Sequence, residues 1–184
     1  MGEKVKFTED SYEQALISLF RELGYEYECG YDVERDKKLP YHKADLLESL
    51  KRLNPEYNDD VIEQGIVQLT NINMVSMEQR NELFTKWLQG GMEVGYLEEG
   101  ETRTALLNLA DYDNINNNLF KVVNQWRIEE MQNKRCDMVV MLNGLPLVVI
   151  ELKSACSEDA DIHDAYLQIR NYQLAIPSLF NYNA

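Results

Sequence analysis

Two apolar stretches near residue 150 end in charged side chains. Arg135-Cys136-Asp137-Met138-Val139-Val140 is followed, across an Asn143-Gly144 turn, by Leu147-Val148-Val149-Ile150-Glu151-Leu152-Lys153. Residues two apart on a strand share a face, so Glu151 and Lys153 face a cleft while Ile150 and Leu152 face the core. A carboxylate and an ammonium fixed together at a strand end suit metal-dependent hydrolysis. Glu151 and a second acid can hold Mg²⁺, a hard cation that prefers oxygen, with the Leu152 backbone carbonyl as a further ligand. Asp137, on the hairpin partner, is the natural second acid. Such a metal polarises a phosphoryl oxygen and activates water. Lys153 can orient that water and stabilise the negative charge that develops.

Strand parity tests this arrangement. A two-residue Asn143-Gly144 loop pairs Leu142 with Leu145, and a regular ladder then sets Asp137 opposite Ile150. Glu151 would point to the other face. Convergence of Asp137 and Glu151 therefore requires an odd loop or a bulge near residues 143–146. Pro146, which cannot donate to a ladder, is a natural place for it.

The elements that must position these groups read as follows. An opening helix is capped by Thr8 or Asp10, with Ser11 and Gln14 spaced as a capping box. Tyr12, Leu16, Leu19 and Leu23 recur at helical spacing, and Gly24 marks its end. Residues 25–29 alternate as a strand. Residues 40–91 read as a helical insert of three segments, 44–53, 59–69 and 76–88, separated by Pro55 and residues 71–73 and ended by Gly90-Gly91. Residues 93–97 and 102–109 form a hairpin around 98–101. Strands follow at 119–128, 138–142 and 147–152, and a helix at 161–175 stops before Pro177. The fold expected is α+β: a central mixed sheet flanked by helices, in a single domain over residues 1–184.

The 184 residues include 18 basic and 32 acidic side chains, a formal charge of −14. With 45% hydrophobic residues, that composition suits a soluble domain with a real core rather than a disordered chain. No apolar run is long enough to span a membrane, and the first residues lack an apolar signal region, so a cytoplasmic location is expected. The cysteines are 29, 136 and 156 and the histidines 42 and 163, without CxxC spacing, which argues against a disulfide framework or a structural zinc site.

The D…E-x-K pattern resembles the PD-(D/E)XK nuclease superfamily. Closer still is the resemblance to the N-terminal endonuclease domain of the type I restriction enzyme R subunit. It is carried by the run from Asn143 to Lys153, by Asn118-Leu119-Phe120-Lys121-Val122-Val123-Asn124-Gln125, and by Pro177-Ser178-Leu179-Phe180-Asn181-Tyr182-Asn183. It is strongest from about Thr104 onward. The resemblance implies an Mg²⁺-dependent endonuclease, with Mn²⁺ able to substitute, acting on duplex DNA. It gives Asp137 and Glu151 as metal ligands and Lys153 as catalytic. It also implies a Q-x-x-x-Y on the last helix, Gln168 to Tyr172, which touches DNA phosphate or braces the metal site. The first helix of such folds supplies another acid, here Glu13, with Glu9 one turn earlier as the alternative.

The resemblance further implies a longer subunit. ATP-driven motors and the methyltransferase and specificity subunits would lie outside this chain, which contains no GxxxxGK[ST] loop. At −14 the chain is a poor electrostatic match for DNA, so alone it is expected to bind DNA weakly. Each assignment has a plainer competitor. Glu151 and Lys153 can be a solvated strand end, Tyr172 ordinary packing, and Glu13 an acid favoured by the helix dipole. Lys134 and Arg135 either meet phosphate or are surface charges. Two other functions compete: a different repair or defence nuclease of the superfamily, and a non-catalytic module that couples motor to methyltransferase.

Overall fold

The computed structural model describes residues 8–153 and 162–183. Helix α1 spans Glu9–Glu22. Thr8 is its N-cap, and Ser11 returns the bond to the Thr8 backbone, so the capping box runs from Thr8 to Ser11 rather than from Ser11 to Gln14. The helix ends in a Schellman motif. The Gly24 amide donates to the Arg21 carbonyl and the Tyr25 amide to that of Phe20, with Gly24 at φ 89°. The accompanying apolar contact is between the Phe20 and Tyr25 rings, 5.0 Å apart.

Strand β1 (Glu26–Cys29) comes next, followed by α2 (Lys43–Leu53), α3 (Asp59–Thr70) and α4 (Met77–Gly90). His42, Asn58 and Ser76 cap these three helices through their side chains. The hairpin of β2 (Met92–Glu98) and β3 (Glu101–Leu107) turns on Glu99-Gly100, both at positive φ. Then come β4 (Phe120–Glu129), β5 (Asn133–Leu142), β6 (Leu145–Ile150) and α5 (Ile162–Ala175), with a 3-10 segment at Pro177–Asn181. Residue 161, where the last helix was expected to start, lies outside the described residues. No described helix is long and apolar enough to cross a membrane.

The main sheet has the order β1-β4-β5-β6, with β1 parallel to β4 and the other pairs antiparallel. The fold is thus α+β on a mixed sheet, as expected. Among the described residues, three apolar clusters hold it. Helix α1 packs through Ile17 onto Val122 and Met138. Tyr172, Ile176, Leu179 and Phe180 cover Val123, Trp126, Cys136 and Val139 on the other face. The helices of residues 43–90 pack with the β2-β3 hairpin, Leu142, Leu145 and Tyr182 in one large core.

The Asn143-Gly144 turn is the joint between that core and the sheet. Asn143 is fully buried, with its side chain accepting from the Leu119 amide and donating to the carbonyl of Leu109. Gly144 has φ 82°, and a Cβ there would lie 2.5 Å from the Leu46 nitrogen and 2.7 Å from the His42 oxygen. Both atoms are backbone at the start of α2, so neither can move aside cheaply. Gly144→Ala is therefore expected to cost about 2–3 kcal/mol through strain and displacement. That corresponds to a melting temperature lower by roughly 5–10 °C in a thermal melt of the purified chain.

Candidate active site

The β5-β6 register decides whether the two acids meet. Leu142 pairs with Leu145 and Met141 with Pro146, so the loop has two residues. The pairing then jumps: Val140 opposes Val148, Val139 opposes Val149 and Met138 opposes Ile150. Leu147 is the extra residue of a bulge, directly after Pro146. The ladder now runs so that Asp137 and Glu151 are next in line opposite each other. The Leu152 amide donates to Asp137 Oδ2 at 2.8 Å, which fixes the carboxylate across the strand ends.

A second irregularity turns Asp137 out of the core. Val123 and Trp126 sit in the same apolar cluster although they are three apart, as do Cys136 and Val139. In regular strands, residues three apart lie on opposite faces. Both strands therefore reverse parity together, at Gln125 and Asp137, which stand opposite each other between the Asn124–Met138 and Trp126–Cys136 pairs. Gln125 achieves this at φ 54°, a left-handed conformation uncommon outside glycine. Without the reversal, Asp137 would share the buried face of Val139 and Met141.

Glu151 is held from two sides. Lys153 Nζ lies 2.9 Å from its Oε1, and the Tyr172 hydroxyl lies 3.0 Å from its Oε2. That hydroxyl is also 2.9 Å from the Arg135 carbonyl oxygen, so its single proton serves one acceptor at a time. Gln168 donates to the hydroxyl at 3.1 Å. The four-residue spacing thus places Gln168 and Tyr172 side by side on α5, and Tyr172 is buried against Glu151. Glu13 is buried on α1, and both its oxygens are engaged, by Asn124 Nδ2 at 2.7 Å and Gln125 Nε2 at 2.6 Å. Glu9, one turn away, contributes to the field at Asp137 and Lys153. The sequence reading passed over Asn124 and Gln125 as site residues. Their signal was two amides ending the apolar run Val122-Val123 opposite Asp137.

Burial raises the pKa values of Asp137 and Glu151 above their ordinary values; other carboxylates add to the rise, and Lys153 only partly offsets it. The hydrogen bond to Glu151 raises Lys153, which keeps it cationic at neutral pH. Burial pushes the Cys136 thiol up as well, so it behaves as a packed apolar residue. Cys156 lies outside the described residues.

Groups whose folded values are raised stabilise the fold below the unfolded value near pH 4, and lose that contribution as pH rises through the folded value. At neutral pH the paired acids are thus a source of strain. Asp137→Asn keeps an acceptor for the Leu152 amide and removes one charge. The metal-free variant is expected to melt about 2–4 °C above the parent near pH 7.5, the shift produced by roughly 1 kcal/mol in a domain of this size. The gain should shrink toward pH 4. A variant that melts lower at every pH would show that Asp137 is stabilising instead.

Two raised carboxylates with an adjacent backbone carbonyl are all hard oxygen donors, and their mutual repulsion is relieved by a cation. They fit Mg²⁺ or Mn²⁺ in kind. Among the described residues no three His, Cys, Asp or Glu side chains gather into a ready ligand set. The Glu13 oxygens are taken up by the Asn124 and Gln125 side chains.

A family model described as the type I restriction enzyme R protein N terminus matches residues 6–184. The HindI endonuclease subunit of Haemophilus influenzae, a type I restriction enzyme, is 32% identical over 95% of this chain. The putative type I restriction enzyme MjaIXP endonuclease subunit of Methanocaldococcus jannaschii is 30% identical over 98% of it. In both cases the matched region is 18% of the relative's length.

Proposed function

This chain belongs to the type I restriction enzyme R protein N-terminal family, and from that premise we propose that it is the metal-dependent endonuclease domain of such a subunit. Its substrate is duplex DNA, delivered by ATP-driven domains outside this chain, in partnership with the methyltransferase and specificity subunits. The observation that carries the reading is the Leu147 bulge, which brings Asp137 and Glu151 opposite each other beside Lys153. A solvated strand end has no need of such a register shift.

Asp137, Glu151 and the Leu152 carbonyl would hold Mg²⁺, or Mn²⁺ in its place. When bound, the metal supplies polarisation of a phosphoryl oxygen and a more acidic water. The remaining chemistry belongs to the chain. Lys153, held cationic by Glu151, orients the attacking water and offsets negative charge on phosphorus oxygens. Its raised value makes it a donor and charge stabiliser rather than a base. Water adds to phosphorus as one P–O bond breaks, and the proton it loses ends on the leaving oxygen. Tyr172 and Gln168 position Glu151, while the Leu152 amide and the Gln125 parity reversal position Asp137. Glu13 supports the set through Asn124 and Gln125.

The test is calorimetric titration of the chain with Mg²⁺ and Mn²⁺, beside Asp137→Ala and Glu151→Ala. One site lost in both variants is the expected result. Equal weak binding by all three proteins would mean a generally acidic surface that collects cations, and would favour a coupling module over a nuclease.

A further inference from the structure

Arg127 on β4 and Arg135 on β5 stand directly opposite each other. Like charges in that position repel, and both side chains are exposed. The chain has only 18 basic residues against 32 acidic ones, so a cross-strand arginine pair is not a by-product of composition. Their flanking residues, Trp126, Ile128 and Cys136, are fully buried in the cluster under α5. The two arginines therefore occupy the other sheet face, the one α1 covers further along.

That placement is next to the acids. Arg135 is two residues from Asp137, about 7 Å along the strand, or roughly two nucleotide rises of a duplex. Its carbonyl meets the Tyr172 hydroxyl that also meets Glu151, so its backbone is tied to the site. Its guanidinium donates to the Tyr31 hydroxyl and lies 5.7 Å from the centre of that exposed ring, an aromatic partner in place of a carboxylate. Arg127 pairs with Glu129 through Nε at 3.1 Å, and both side chains are well exposed. Such a pair contributes little by itself. The planar guanidinium fork suits the oxygens of a phosphodiester.

We infer that Arg127 and Arg135 form a two-arginine contact for the DNA backbone flanking the phosphodiester that is cut. The assignment rests on the nuclease reading of Asp137 and Glu151. It explains how a domain of charge −14 presents a local cationic step beside its acids. The contact is to backbone, so it carries no base specificity.

The test is fluorescence anisotropy of the chain with labelled duplexes of unrelated sequence, without metal, from about 50 to about 200 mM salt. Arg127→Gln and Arg135→Gln are each expected to weaken binding several-fold on every sequence. Each should also flatten the plot of log affinity against log salt by about 0.9, and the double variant by about twice that. Arg135→Lys should keep the slope. Lys86→Gln, an exposed charge on α4, is the control and should leave the slope unchanged. Melting within about 2 °C of the parent shows that exposed-site variants retain the fold. Arginine variants that follow the Lys86 control, or a parent that binds no duplex at the lowest salt, overturn the inference. The metal titration separates the two readings. A site at Asp137 and Glu151 with unchanged slopes removes only the arginine contact, whereas no such site removes the nuclease reading itself.

Discussion

On the proposed function, Glu151→Ala in the longer subunit is expected to abolish DNA cleavage, lowering it by at least about 10³-fold, while ATP hydrolysis continues. The magnitude follows from losing both a proposed metal ligand and the group that holds Lys153, since metal-assisted water activation and charge stabilisation each contribute factors of roughly 10²–10⁴. The site geometry supports the separation of activities. Glu151 touches Lys153 and Tyr172 at one end of the sheet, and the chain itself contains no phosphate-binding glycine loop. The measurement is cleavage of circular DNA by the assembled enzyme, with ATP turnover followed in the same reaction. Cleavage within about 10-fold of the parent would remove Glu151 from the chemistry, because that is below the effect of a lost catalytic group. Joint loss of cleavage and ATP turnover would point to damaged assembly.

Lys153→Gln separates binding from catalysis. Lys153 Nζ occupies Glu151 Oε1 at 2.9 Å, so its removal frees that carboxylate oxygen. Mg²⁺ affinity is expected to stay level or to rise a few-fold, about 1 kcal/mol at most. Cleavage should nevertheless fall by about 10²–10³-fold, the usual loss when a charge stabiliser is removed. Calorimetry reads the first effect and the cleavage assay the second. If metal affinity and cleavage fall together, Lys153 serves to hold Glu151 in place and the proposed orienting role is wrong.

Much of this site was legible in the sequence, and the reason differs from residue to residue. Glu151 and Lys153 share a face because they are two apart on one strand, and Gln168 and Tyr172 meet because they are four apart on one helix. These are distances within a single element, set by backbone geometry. Strand parity went one step further. It required an irregularity near residues 143–146, and the bulge stands at Leu147, one residue beyond that window. The loop itself kept two residues because Asn143 and Gly144 supply the positive φ values of a tight hairpin turn.

Other features were settled only in part by local signals. Ser11 and Gln14 had the spacing of a capping box, yet Thr8 took the cap because its own hydroxyl reaches the Ser11 amide one turn earlier. The Asn143-Gly144 turn was legible as a turn, but its burial was not. Its burial arises only because the start of α2 and the chain near Leu109 and Leu119 close over it.

The sequence by itself determined the chemistry available: two acids, a lysine and a Gln-Tyr pair at spacings that local geometry converts into shared faces. It also determined most elements, since apolar period and turn residues act over a few positions. Only the tertiary structure decided that Asp137 leaves the buried face of β5 and that Glu13 binds Asn124 and Gln125. Both depend on the left-handed backbone of Gln125, a conformation that costs about 1–3 kcal/mol. No short window of residues favours such a state. It persists because the cores on the two sheet faces and the Glu13 contacts, the latter formed across 111 and 112 positions, together outweigh its cost.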